Sequence, residues 1–163
     1  MAPSTWIQYA QNCMWLVVPL LLLNVVLMRR LPKAYQAEVF WREIPSWIKV
    51  GENLTRTLVF VLPLFMRLDL SQGAGLLLYL IGTVVYSLAW LAQIARPRSA
   101  WSTSPWGFLA PAYTPAIWLV GIALIGKTLF LPIPYTPRIY VALSAVFLAF
   151  HNTHAAIVYR RNY

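Results

Sequence analysis

Long apolar stretches separated by short polar segments make up most of this chain. Five of them are long enough to be considered as membrane-crossing helices, at 10–28, 46–66, 75–95, 107–131 and 139–158. A helix rises about 1.5 Å per residue, so about 20 apolar residues cross a hydrocarbon core about 30 Å thick. The pattern predicts an all-α, polytopic integral membrane protein. It would form one domain over 1–163, a single bundle of five transmembrane helices.

The segment 29–45, between the first two predicted spans, has a different pattern. Apolar residues alternate there with charged ones: Tyr35, Val39, Phe40, Trp41 and Ile44 with Glu38, Arg42 and Glu43. An amphipathic segment of this kind is typical of a helix lying in the membrane interface. We therefore expect a short interfacial helix after the first span.

Composition excludes an ordinary soluble domain. Hydrophobic residues make up 60% of the chain and charged residues only 10%, against about 25% charged residues in soluble domains. The net charge of +9 is carried by short loops between spans, which favours topogenic signals and anionic lipid contacts over nucleic-acid binding. Cys13 is the only cysteine, which excludes an internal disulfide.

Basic residues are distributed unevenly between the two sets of loops. Nine lie in the loops after the first and third spans and in the tail: Arg29, Arg30, Lys33, Arg42, Lys49, Arg96, Arg98, Arg160 and Arg161. Only Arg67, Lys127 and Arg138 lie on the other side. Cytoplasmic loops carry the excess of Lys and Arg, so we expect the N-terminus outside and the C-terminus in the cytoplasm. This predicts a multi-pass protein of a bacterial inner membrane.

The second span contains an internal ion pair. After Arg56, only the stretch 58–66 is apolar, too short to cross, so the turn carrying Glu52, Asn53 and Arg56 must enter the membrane. A Glu four residues before an Arg can pair with it along one helix face. Ionisable residues within spans usually face the bundle interior and mark functional sites. The alternative is that the two side chains neutralise each other near the headgroups.

The fifth span contains both histidines of the chain. His151 and His154 are three residues apart and share a helix face. Imidazole can shuttle protons, bind a metal or donate a hydrogen bond, and we expect both rings to face the same cavity as Glu52. A metal site would need a further ligand and no metal-binding motif is present, so none is predicted. The alternative is that the histidines only hydrogen-bond neighbouring helices.

Other polar residues occur at a similar level in the remaining spans, and Pro111 and Pro115 should kink the fourth. The opposite half of each span is apolar, which argues against an aqueous channel. The predicted ligand-binding residues are Asn24, Glu52, Asn53, Arg56, Tyr86, Trp90, Gln93, Tyr113, Thr114, His151 and His154.

Three functions fit this pattern. The first is binding or transport of a small amphiphilic or lipid-like ligand in a polar pocket open to the cytoplasmic side. The second is an intramembrane enzyme using Glu52, His151 and His154 for acid–base chemistry on a lipid-soluble substrate. The third is a structural or assembly subunit of a membrane complex. Membrane lipids are expected partners, and no nucleic acid is expected. The sequence leaves open whether the chain forms a homo-oligomer or joins a larger membrane complex, and it does not identify a cofactor.

Overall fold

A computed structural model describes residues 9–163, which are mostly helical. The helices are α1 (Met14–Met28), α2 (Ala37–Phe40), α3 (Ser46–Val61), α4 (Gly73–Ala95), α5 (Pro105–Tyr113), α6 (Pro115–Ile125) and α7 (Pro137–Asn162). Single 3-10 turns lie after α1, at Lys33–Tyr35, and after α3, at Leu62–Leu64. There are also two short strands, β1 (Met66–Leu68) and β2 (Gly126–Leu129).

Three of the described helical segments are long and apolar enough to cross a membrane: α4, the pair α5–α6 and α7. This is consistent with a multi-pass membrane protein. Helix α1 is apolar but has 15 residues, and would extend only about 22 Å. Helix α3 has 16 residues and carries the charged turn. The first and second predicted spans therefore correspond to shorter helices than the sequence pattern indicated.

The all-helical prediction is incomplete, because β1 and β2 pair as a small antiparallel sheet. Strand β1 begins at the last residue of the predicted span 46–66, and β2 lies near the end of the predicted span 107–131. Backbone groups beyond a helix end need new partners, and a strand ladder supplies them. The amide of Cys13 donates to the carbonyl of Met66 at 2.9 Å, which attaches the start of α1 to the same sheet.

The fourth predicted span is divided into α5 and α6 at the second of its two prolines, Pro115. The helix is interrupted at Thr114, where Pro115 begins α6. Proline has no amide hydrogen and obstructs the preceding turn. The Thr114 hydroxyl donates to the carbonyl of Ala110 at 2.7 Å, alongside the backbone amide at 3.0 Å. The expected kink is therefore a break in the helix, stabilised locally.

The segment 29–45 forms less helix than predicted, a 3-10 turn and the single turn α2. Its aromatic side chains pack against the end of the bundle. The Tyr35 ring stacks on Phe108 with centroids 4.6 Å apart, and the Phe40 and Trp41 rings lie 4.2 and 4.5 Å from the ring of His154. The apolar half of the amphipathic pattern is thus partly buried against protein.

Close helix packing holds the middle of the bundle. Helix α4 packs most extensively against α6 among the described elements. A Cβ atom added at Gly121 of α6 would lie 2.5 Å from the backbone nitrogen of Tyr79 in α4. Small residues allow this approach of backbones, a usual feature of membrane helix interfaces. Helices α3 and α7 are joined by a hydrogen bond from the Tyr140 hydroxyl to the carbonyl of Val59 at 3.0 Å.

Candidate functional site

Glu52 is the centre of a cluster of ionisable side chains between α3 and α7. It is fully buried. Its Oε1 lies 2.8 Å from Nδ1 of His151, and its Oε2 lies 2.5 Å from Nδ1 of His154. Arg56, one helical turn further along α3, donates to Oε1 of the same carboxylate. The structure therefore brings together the ionisable residues of the second and fifth predicted spans.

The partners of His154 determine how many protons the cluster holds. Its Nε2 lies 2.9 Å from the backbone carbonyl oxygen of Phe40. A carbonyl oxygen only accepts hydrogen bonds, so Nε2 must carry a hydrogen. The contact between Nδ1 and Glu52 then needs a second proton, either on the imidazole or on the carboxyl. In both arrangements the Glu52–His154 pair is neutral.

Arg56 adds a positive charge that this neutral pair does not compensate. Its guanidinium lies 5.6 Å from the centre of the Trp41 ring and 6.0 Å from that of Phe147. A guanidinium has five N–H donors, and among the described residues only Glu52 accepts a hydrogen bond from it. The side chain is 35% exposed, so its other donors remain accessible to a bound molecule.

His151 is held by the same carboxylate and also reaches the surface of a cavity. Its ring stacks on Phe147 with centroids 5.4 Å apart and nearly parallel planes, 14° from each other. Among the described residues, only Nδ1 makes a hydrogen bond, to Glu52. A carboxylate bonded to one imidazole nitrogen orients the ring and sets its tautomer. The arrangement can present Nε2 as a base or a hydrogen-bond acceptor.

A cavity of about 610 Å³ lies beside this cluster. Nine aromatic side chains form much of its wall: Tyr35, Phe40, Trp41, Phe60, Tyr86, Trp90, Phe108, Trp118 and Phe147. Arg56, His151 and Asn24 are among the few polar side chains that also line it. Small-molecule sites are commonly cavities of about 300–1,000 Å³ with apolar walls and a few placed polar groups. Size and lining both match that description.

The cavity reaches the surface of the bundle between α1 and α3. Leu21 of α1 and Thr57 and Val61 of α3 line it and are exposed. The segment carrying Tyr35 and Trp41 forms the wall near the basic loops. Because exposed residues of two helices border it, the opening lies on the side of the bundle, between α1 and α3.

Five of the predicted site residues line the cavity: Asn24, Arg56, Tyr86, Trp90 and His151. Asn24 and Tyr86 join α1 to α4, because the Tyr86 hydroxyl donates to Oδ1 of Asn24 at 2.6 Å. Glu52 and His154 lie behind this wall in the ion cluster.

Four predicted residues are not brought to the cavity. Asn53 is exposed on the side of α3 away from its neighbour Glu52, because adjacent helical residues are about 100° apart. Gln93 donates to the carbonyl of Gly107 at 2.6 Å, joining α4 to α5. Tyr113 is exposed and Thr114 bonds back to its own helix. For these residues, the helix face on which each one lies decides which neighbours it contacts, and that face does not meet the cavity.

Several aromatic residues of the cavity wall are not among the site residues predicted from sequence, such as Tyr35, Trp41, Trp118 and Phe147. The alternation of aromatic and charged residues in 29–45 was the available signal for the first two. Trp118 and Phe147 resemble any apolar span residue in sequence. The indole nitrogen of Trp118 is buried and has no hydrogen-bond partner among the described residues, a condition that a bound acceptor would relieve.

No protein-family model, curated protein or solved structure matches this chain. Within residues 9–163, no group of three or more ligand-type side chains is arranged to hold a metal ion. Fold and geometry define a class: a mostly helical protein with three helices able to cross a membrane, consistent with a multi-pass membrane protein.

Proposed function

We propose that this protein is an integral membrane protein that binds or transports a small amphiphilic or lipid-like ligand in the aromatic cavity. The observation that carries this proposal is the combination of a 610 Å³ apolar cavity with Arg56 and His151 in its wall. An amphiphile offers a polar group to such side chains and an apolar body to aromatic walls.

The proposal includes five spans, with α1 and α3 crossing alongside the three longer segments. Glu52 is buried and paired inside the bundle, which supports placing α3 within the membrane despite its charges. Helices shorter than the bilayer are accommodated by local thinning and by flanking residues that reach the interface. The excess of basic residues in alternate loops supports an outside N-terminus and a cytoplasmic C-terminus.

The position of the opening supports a ligand that is dissolved in the bilayer. Leu21 and Val61 border the cavity and are exposed on neighbouring helices. An amphiphile in the surrounding leaflet could enter between α1 and α3 without crossing water.

An intramembrane acid–base enzyme is the second candidate. The observation that favours it is the 2.8 Å contact between Glu52 and Nδ1 of His151, a cavity-lining residue. A carboxylate–imidazole pair is a common arrangement of a general base. In this function His151 would exchange a proton with the substrate, and Glu52 and His154 would hold its orientation and charge.

One extraction experiment tests the lead proposal against the alternatives. The protein is purified in an uncharged detergent, denatured and extracted with organic solvent, and the extract is analysed by mass spectrometry. We expect a roughly equimolar amphiphile, enriched over the bulk lipids of the micelle. Ala155→Leu and Ala112→Leu, which place volume in the cavity wall, should each reduce its amount severalfold. Ala149→Leu, on the exposed face of α7, is the matched control.

The outcomes separate the three functions. Loss of the amphiphile in both cavity variants, with a normal elution profile, supports the binding function. The enzyme function is favoured if the unmodified protein retains a chemical derivative of a host lipid, whereas the His151→Phe variant retains the lipid itself. An extract identical to the bulk micelle, together with a stoichiometric second chain in the preparation, contradicts both and favours an assembly subunit.

A further inference from the structure

We infer that the ligand of the aromatic cavity carries an anionic headgroup, a carboxylate or a phosphate, which Arg56 binds. The inference rests on the binding function proposed above and adds to it the chemical class of the ligand. It follows from the charge of the ion cluster, from the distribution of acids along the chain and from the geometry of the guanidinium.

The ion cluster has a net positive charge. Together, the contact of His154 Nε2 with the Phe40 carbonyl and that of Nδ1 with Glu52 require one proton more than a carboxylate with a neutral imidazole would hold. That proton neutralises Glu52, to which His154 is bonded at 2.5 Å. Arg56 stays charged in proteins, so one positive charge is left over even with a neutral His151.

No other acidic side chain is placed to compensate this charge. The chain contains four acidic residues, Glu38, Glu43, Glu52 and Asp69. Glu38 is exposed, Glu43 pairs with Arg42 at 3.6 Å on the surface, and Asp69 pairs with Lys127 at 3.5 Å near the sheet.

A second cation binds the segment that carries Phe40. Arg161 of α7 donates to the carbonyls of Val39 and Arg42. The end of α7 therefore adds no acid that could compensate Arg56.

The guanidinium is positioned to use this charge on a ligand. Arg56 lines the cavity, and among the described residues its guanidinium donates a hydrogen bond only to Glu52. Its planar fork matches the two oxygens of a carboxylate or phosphate, and such charge-assisted bonds are the stronger ones. His151, on the same wall, can add one more hydrogen bond. Aromatic walls keep water away, which increases the attraction between opposite charges.

A series of ligands with one chain and different headgroups tests the inference. Palmitate, hexadecanol and hexadecylamine are added to the delipidated protein in an uncharged detergent, at a pH where the acid and the amine are both ionised. Binding is followed by quenching of tryptophan fluorescence. We expect palmitate to bind about tenfold or more tightly than hexadecanol, the usual magnitude of a charge-assisted hydrogen bond. Hexadecylamine should bind most weakly, and hexadecyl phosphate tells whether the site prefers carboxylate or phosphate.

Substitutions assign the preference to one residue. Arg56→Gln should lose the difference between palmitate and hexadecanol, whereas Arg56→Lys should keep most of it. Arg30→Gln removes the same charge from an exposed position near the end of α1 and should leave the difference unchanged. If Arg56→Gln does not fold, the headgroup series on the unmodified protein still decides the inference.

Three results would overturn it in distinguishable ways. Equal binding of palmitate, hexadecanol and hexadecylamine would reject the anionic headgroup and leave the binding function standing. Binding of none of these ligands, while the protein stays folded, would reject both. A preference that Arg30→Gln removes as fully as Arg56→Gln would show that overall charge, rather than the cavity, selects the ligand.

Discussion

The half of the bundle near β1–β2 and the half around Glu52 are held together in different ways. In the first, α4 and α6 approach to backbone contact at Gly121, and the sheet joins the loops. In the second, α3 and α7 are bridged by an ion cluster beside a cavity of about 610 Å³. Close packing leaves no room for a ligand, and a buried ion cluster recovers little more than its desolvation cost. The first half therefore lacks space for a ligand, whereas the second combines a buried ion cluster with the candidate cavity.

Two carboxylates show the same contrast. Glu52 is fully buried with Arg56 and two imidazoles as partners. Asp69 lies in the loop between β1 and α4, where Lys127 and hydrogen-bond donors surround it. Removing the carboxylate from the buried cluster leaves several polar groups without their hydrogen-bond partner, whereas water can replace a partner at the surface. The Glu52 and Asp69 predictions below test whether this difference controls stability, and the Gly121 prediction tests the closely packed half.

Glu52→Gln should have the largest effect on stability. It removes the carboxylate that is bonded to Arg56 and to both imidazoles, and a hydrogen bond to a charged group contributes about 1.5–3 kcal/mol. Thermal unfolding in an uncharged detergent should show a strongly lowered Tm. Glu43→Gln is the matched control, because that pair is exposed and should contribute at most about 1 kcal/mol. Equal Tm values for both variants would mean that Glu52 is solvated near the headgroups.

Gly121→Ala should destabilise the closely packed half without affecting binding. The new Cβ would meet the backbone of Tyr79 at 2.5 Å, so α4 and α6 must separate, at a cost of about 1–3 kcal/mol. Gly73→Ala, in the first turn of α4 with open space around it, should cost nothing.

The readout for Gly121→Ala combines unfolding with the amphiphile extraction. A lowered Tm with normal ligand retention would support the separation of the two halves. Loss of the ligand together with stability would show that the α4–α6 contact also shapes the cavity, and the contrast between the halves would have to be abandoned.

Asp69 should give the smallest effect, visible mainly as a pH dependence. The hydroxyl of Ser71 donates to its Oδ1 at 2.6 Å and the Ser71 amide at 3.1 Å. These bonds, with Gln72 and Lys127, lower the pKa of Asp69 from 3.8 to about 2. Because the pKa is lower in the folded state, the stabilisation is complete above about pH 4 and is lost as the pH falls toward 2.

The measurement compares unfolding of the unmodified protein and Asp69→Asn from about pH 5 down to about pH 2. The free energies of unfolding of the two proteins should converge at about pH 2, and at about pH 5 the unmodified protein should be slightly more stable than Asp69→Asn. A difference of constant size over the whole range would show that the carboxylate contributes through packing rather than charge.

Several features of the site were accessible from helical periodicity. The four-residue spacing of Glu52 and Arg56 and the three-residue spacing of His151 and His154 each imply a shared face. Both pairs do lie on the facing surfaces of α3 and α7. Periodicity was a poor guide for Asn53, Gln93, Tyr113 and Thr114, because it does not say which neighbour each face meets.

Local pattern by itself determined the class of protein, the approximate positions of the apolar helices and the break at Thr114, because hydrophobic burial and proline chemistry act over a few residues. Tertiary structure alone decided that β1 pairs with β2, that the Phe40 carbonyl accepts from His154, and that aromatic residues of 29–45 close the cavity. The strand pairing and the contact of His154 with Phe40 join residues 58 to 114 positions apart. Their pairing depends on how whole helices pack, a property that no short stretch of sequence carries.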